Sequence, residues 1–178
     1  MIILIAGASH TGKTVLAQKL LEQYHDPYLS IDHLKMGLIR SGNTNLTPCD
    51  DEALTEYLWP IVREMIKTAI ENNQNLIVEG CYIPYNWAES FEESYRRHIR
   101  AVWLIMAKEY IESHFDDILA HASDVEQRLD DSGCTKQWLI EENQKELSEC
   151  IRHNCRYILI ERDYHVAEAA LSVLSQEV

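Results

Sequence analysis

Gly7-Ala8-Ser9-His10-Thr11-Gly12-Lys13-Thr14 decides how this chain is read. The stretch fits G-x-x-x-x-G-K-[ST], the spacing of a phosphate-cradling loop, and its flanks are those the motif requires. Ile2-Ile3-Leu4-Ile5-Ala6 before it reads as a buried strand, and Val15, Leu16, Leu20 and Leu21 after it form the apolar stripe of a helix. The glycines let the backbone curl until its N–H groups converge on phosphate oxygens. The helix start adds partial positive charge. In such a loop the run from Gly7 to Thr14, with Val15, wraps the phosphates of a nucleoside triphosphate. Lys13 reaches the β- and γ-phosphates, and the Thr14 hydroxyl holds Mg²⁺. An ordinary Gly-rich turn is the competing reading; motif and context together set it aside.

Working outward, strand and helix alternate along the chain. Strands are expected at Ile2–Ala6, Pro27–Ile31, Asn75–Glu79, Ile99–Met106 and Arg156–Ile160. These short apolar runs suit a parallel sheet covered on both faces, with right-handed βαβ crossovers. The longest helix is expected to start at Thr47-Pro48, with Thr47 as N-cap and Asp50 completing the cap. Leu54, Leu58, Ile61, Val62, Met65, Ile66 and Ala69 then hold helical spacing, and Pro60 is expected to kink or break it. Further helices are expected over Lys136–His153 and Tyr164–Leu174. No linker or repeat divides the chain, so residues 1–178 read as one domain.

Composition narrows the function classes. Of 178 residues 46% are hydrophobic, which suits one soluble domain with a full core. No run approaches transmembrane length. The first five residues lack the basic flank and cleavage site of a signal peptide, so a cytoplasmic location is expected. The net charge of −13 and the lack of a basic stripe argue against nucleic-acid and membrane-surface partners. Five cysteines without a C-x-x-C pair read as reduced thiols and not as a zinc site. His10 occupies a free position of the loop, and His114 and His121 share a helix face; two histidines make a weak metal case.

Ligands of open α/β sheets bind beyond the C-terminal strand ends, so the residues there carry the chemistry. Asp32 follows the second strand and serves either as an N-cap or as the group that accepts a proton from an attacking hydroxyl. Glu79 closes the third strand. It holds a Mg²⁺-bound water or contacts the acceptor, or else is a solvated acid before Gly80. Cys81 in the same turn is expected to line the pocket. Arg128 precedes the polar loop Asp130-Asp131-Ser132-Gly133. It is either carried onto the transferring phosphate by a closing lid over about 121–135, or paired at the surface with Asp124 or Glu126. Lys35, Arg40 and Arg63 are further candidates for binding an anionic acceptor, against simple solvation.

These residues resemble the P-loop kinases of the adenylate kinase-like group. Besides the loop, Ser30-Ile31-Asp32-His33-Leu34-Lys35 is similar to the segment after their second strand, and Glu79-Gly80 followed by Pro84 is similar to their acid-glycine turn. The resemblance implies a three-layer α/β/α P-loop NTPase fold. Its five parallel strands would run in the order 2-3-1-4-5, with an acceptor-binding region over about 32–73 and a lid before the last strand. It implies ATP and Mg²⁺, a kinase activity, and catalytic roles for Lys13, Asp32 and Arg128. The chain departs from adenylate kinases proper in having Lys35 where they carry arginine, no arginine in Cys81-Tyr82-Ile83-Pro84-Tyr85, and only Arg128 in the lid. It therefore looks more like gluconate and shikimate kinases, proteins acting on 2-phosphoglycerate, or zeta-toxin-like enzymes. The expected activity is transfer of the γ-phosphate to a hydroxyl of a small metabolite. A nucleoside monophosphate kinase, gripping its acceptor with Lys35, Arg40 and Arg63, is the alternative. A nucleotide-binding switch without a small acceptor comes from another class.

Overall fold

The structure, a computed structural model, describes residues 1–122, 125 and 133–175. In chain order the elements are β1 (Ile2–Gly7), α1 (Lys13–Tyr24), β2 (Tyr28–Ser30), α2 (Ile31–Arg40), α3 (Asp51–Glu71), β3 (Leu76–Glu79), α4 (Glu93–Arg96), β4 (Ile99–Met106), α5 (Lys108–Ala120), α6 (Lys136–Arg152), β5 (Tyr157–Ile160) and α7 (Val166–Ser175). The five strands form one parallel sheet in the order β2-β3-β1-β4-β5, as the resemblance implies.

All six residues of β1 are buried because this strand is central and covered on both faces. Alternation along it divides the core. Ile2, Leu4 and Ala6 join Val78, Trp103 and the apolar face of α3, and Cys150 of α6 closes that side. Ile3 and Ile5 join Ile77, Leu104, Leu16 and Leu20 of α1, Ile111 of α5 and Ala170 of α7. Trp59 and Trp103 are both core residues.

Two local expectations shift. The α3 helix begins at Asp51, with Asp50 as its cap. The Thr47 backbone N–H and hydroxyl both donate to Asp50 Oδ2, at 2.7 and 2.8 Å, so the expected capping pair forms a turn ahead of the helix. Pro60 does not break α3, which runs continuously across it. The apolar face of that helix, with Leu54, Leu58, Val62 and Ile66 fully buried, holds it together where proline removes one backbone hydrogen bond. No helix of the described residues is long and apolar enough to cross a membrane.

The register sets the site. Gly7 lies opposite Leu104, Ile5 opposite Glu79, and Ser30 opposite Glu79, so the ends of β1, β2, β3 and β4 reach one edge. The chain leaves β1 toward β2 on one side and leaves β4 toward β5 on the other, so a crevice opens between the ends of β1 and β4.

Candidate active site

The loop after β1 is held by its own backbone. Gly7 and Gly12 have φ of +128° and +82°, and His10 between them has φ +66°. At Gly7 any Cβ would sit 2.2 Å from the Leu104 carbonyl oxygen. At Gly12 a Cβ would sit 1.7 Å from the Tyr164 hydroxyl, which donates to the Thr11 carbonyl at 3.0 Å. Both positions therefore demand glycine for space as well as for dihedral angle. The buried Thr11 hydroxyl donates to the Ala8 carbonyl at 2.8 Å and closes the turn.

Lys13 opens α1 and is almost wholly buried. Its Nζ donates to the Ala8 carbonyl at 2.7 Å, folding the side chain back over the loop. Burial by itself would lower its pKa. Cys81, Glu79 and Asp32 around it more than offset that and hold it above the ordinary lysine value, so the ammonium stays charged. The Thr14 hydroxyl donates to Glu79 Oε2 at 3.3 Å. Glu79 is 1% exposed and faces the loop from the end of β3. Gly80 after it has φ +155°, and a Cβ there would meet the Ile31 side chain at 2.9 Å.

Asp32 lies in the first turn of α2, whose cap is Ser30. Its carboxylate is ion-paired with Lys35 one turn on. Lys35 Nζ also donates to the Tyr82 hydroxyl at 3.0 Å, and that hydroxyl donates to Asp51 Oδ1 at 3.1 Å. Asp32, Lys35, Tyr82 and Asp51 thus form one chain across the mouth of the cleft. Cys81 is solvent-accessible, yet desolvation of its thiol pushes the pKa up, against the charge of Lys13, to which it hydrogen-bonds.

The opposite wall comes from α6. Buried Asn143 accepts the Met106 N–H at 2.8 Å through Oδ1 and donates to the Leu139 carbonyl at 2.8 Å, which fixes α6 against the end of β4. One turn on, Glu146 hydrogen-bonds Tyr85. The Tyr85 ring lies between Trp103 and His153, with centroids 6.1 and 5.8 Å away. Burial raises the Glu146 pKa; the Lys13 charge and the Tyr85 hydrogen bond oppose the rise without cancelling it.

On the other side of the loop is a cavity of about 410 Å³, lined by Thr14, Val15 and Lys19 of α1, Tyr110 and Ile118 of α5, and Tyr164. Its size and mixed lining suit a small-molecule group. His10 lines it too and lies 3.9 Å from the Cys134 sulfur. His114 also lines it and stacks on Tyr110 at 4.4 Å.

Among the residues expected to act, the fold brings together the loop, Lys13, Thr14, Asp32, Lys35 and Glu79. It does not bring Arg40 and Arg63 to them. Arg40 is exposed at the last turn of α2, about 12 Å along the axis from Asp32, and Arg63 lies about 18 Å along α3 from Asp51 and pairs with Glu64. Arg128 and most of the expected lid lie outside the described residues. Tyr82, Tyr85, Asp51 and Glu146 were not singled out as site residues in the sequence. Only their position relative to distant segments reveals them.

A pair of Thr14 and Glu79 oxygens fits Mg²⁺, a hard cation that keeps waters and substrate phosphates as its remaining ligands. Among the described residues no cluster of three His, Cys, Asp or Glu side chains forms a fuller protein cage.

No protein-family model and no curated protein matches the sequence. Solved structures do. A shikimate kinase from Bacteroides thetaiotaomicron superposes with a TM-score of 0.57 at 15% identity, over 97% of this chain and 94% of that one. A sugar kinase from Janibacter sp. HTCC2649 gives 0.55 at 15% identity, over 97% and 93%. A gluconokinase from Sinorhizobium meliloti 1021 gives 0.52 at 16%, over 97% and 89%. The chain has the fold of these kinases.

Proposed function

We propose that the protein is an ATP-dependent phosphotransferase that moves the γ-phosphate of ATP to a hydroxyl of a small metabolite. The observation that carries this reading is the phosphate loop, its Thr14 hydroxyl bonded to Glu79, lying at the sheet edge where β2 ends and Asp32 opens α2. A base beside a phosphate cradle is what hydroxyl phosphorylation needs.

In this reading the triphosphate lies on the loop N–H groups and the start of α1. Lys13 moves from the Ala8 carbonyl to the β- and γ-oxygens, and the nucleoside occupies the cavity beside Tyr164. When bound, Mg²⁺ neutralises phosphate charge, and Thr14 with Glu79 would hold it. Asp32 orients the acceptor hydroxyl and takes its proton. The acceptor oxygen forms the new bond to the γ-phosphorus as the bond to the β-phosphate oxygen breaks, and ADP leaves with that electron pair. Arg128 would approach the transferring phosphate when the lid closes. The acceptor region over about 32–73 and a cytoplasmic location complete the reading, with no nucleic acid or membrane as partner.

The nucleoside monophosphate alternative loses support because Arg40 and Arg63 stand away from the cleft. A coupled ADP-release assay tests the proposal. Mg²⁺-ATP turnover is expected to rise in the presence of one class of hydroxylated metabolite and not with nucleoside monophosphates. Slow hydrolysis that no metabolite accelerates would favour a nucleotide switch instead.

A further inference from the structure

The end of α6 sets two thiols side by side. The helix stops at Arg152, and Asn154 takes the left-handed φ of +53°, which asparagine tolerates better than most residues. The chain then turns back on the helix. The Cys155 N–H donates to the Cys150 carbonyl at 2.8 Å, and the Asn154 N–H donates to the Ile151 carbonyl at 3.3 Å. These are the two hydrogen bonds of a Schellman helix end, in which the residue after the left-handed one packs against the last full turn. Here both packing residues are cysteines.

Their thiols are free and hydrogen-bond to one another, so the side chains point together. With standard backbone lengths, the 2.8 Å bond keeps the two Cα atoms within about 6.7 Å. A disulfide spans Cα separations of about 4.4–6.8 Å, so the fold already allows one.

The pair is asymmetric. Cys150 is fully buried, whereas Cys155 is half-buried and its thiol donates to the Tyr85 carbonyl at 3.4 Å. The hydrogen bond from Cys150 holds the Cys155 pKa down, against desolvation and the charge of Glu146; that bond and burial push the Cys150 pKa up. The thiolate is the form that oxidants attack, so the accessible sulfur reacts first and the buried one is placed to answer it.

We propose that Cys150 and Cys155 are a modification site, a dithiol that a hydroperoxide closes to an intrachain disulfide across the end of α6. The Cys155 thiolate attacks one peroxide oxygen, the O–O bond breaks, and the departing oxide takes a proton. Cys155 is then a sulfenic acid. The Cys150 sulfur attacks the Cys155 sulfur, the S–S bond forms, and the S–O bond breaks. Water leaves with the Cys150 proton. Two thiols have lost two electrons and the peroxide has gained them. A small thiol reverses the closure by exchange. No residue of the phosphate cradle takes part.

The test treats the reduced full chain with a small molar excess of hydrogen peroxide, alkylates the remaining thiols after unfolding, and maps tryptic peptides. Trypsin cuts after Lys145, Arg152 and Arg156, so the disulfide joins peptide 146–152 to peptide 153–156. That linked peptide is expected to form at least about tenfold faster than alkylation is lost at Cys49, Cys81 or Cys134, and a thiol reductant is expected to remove it. In Cys150→Ala, dimedone should trap the Cys155 sulfenic acid at least about tenfold more than in the parent, because nothing resolves it. In Cys155→Ser, Cys150 should stay reduced behind its burial. Absence of the linked peptide while Cys155 passes to the sulfinic acid overturns the proposal. So does oxidation of Cys155 no faster than that of exposed Cys49, or equal dimedone trapping in Cys150→Ala and the parent. Should Cys150→Ala fail to fold, the peptide map of the parent decides alone.

Discussion

The two halves of the cleft are built from different materials. The phosphate half is backbone: eight consecutive residues, two glycines forced by close contacts, and a helix start whose N–H groups point outward. The half we assign to the acceptor is side chain: Asp32, Asp51, Cys81, Tyr82, Tyr85 and Glu146 come from α2, α3, the β3 turn and α6. Lys13 sits between them and senses both, since Glu79, Cys81 and Asp32 all raise its pKa. A backbone cradle binds any phosphate chain of the right length. A wall of side chains can be changed one residue at a time, so selectivity resides there.

Four substitutions separate the halves, from the largest expected effect to the smallest. Lys13→Ala should reduce kcat by about 10³-fold by removing charge stabilisation at the transferring phosphate, measured as ADP release with Mg²⁺-ATP. Asp32→Asn should reduce kcat by about 10²-fold or more while ATP affinity, measured by calorimetry, stays within about twofold. Loss of ATP binding in that variant would join the two halves that the comparison keeps apart. Tyr82→Phe should raise the acceptor KM by roughly three- to tenfold through loss of the link from Lys35 to Asp51, with kcat little changed. Arg63→Ala should change neither constant by more than about twofold, because its partner is Glu64 on the outer face of α3.

The pH dependence of stability sharpens the contrast. Glu146 holds its proton more tightly in the folded protein than at the ordinary glutamate value of 4.5. Stability linked to it is therefore greatest at low pH and is lost as pH rises from that value through the folded one. Glu146→Gln should melt a few degrees above the parent at pH 7.5, with the difference vanishing below pH 4 in thermal scans.

The same division explains what could be read from the sequence. The strands lie within a residue or two of expectation because covered parallel strands are continuous apolar runs bounded by turns. The phosphate loop was legible because its parts are contiguous. Asp32 and Glu79 stand out as candidates because strand ends are a known address. Glu146 and Tyr85 do not, since 60 residues separate them and the packing of α6, with Asn143 anchored on Met106, brings them together. Arg40 and Arg63 entered as candidates because sequence reports a residue's helix and face but not its distance along the axis from the strand ends. The start of α3 moved because Thr47 and Asp50 can pair in a turn as readily as in a cap.

The measurement closest to the central claim is single-turnover transfer from labelled ATP to an acceptor identified in the ADP-release assay, comparing the parent with Asp32→Asn at saturating ATP. The account predicts phosphorylated acceptor in the parent and about a hundredfold slower transfer in the variant, with ATP bound equally by both. Equal transfer rates in the two proteins would contradict the assignment of Asp32 as the group that accepts the hydroxyl proton.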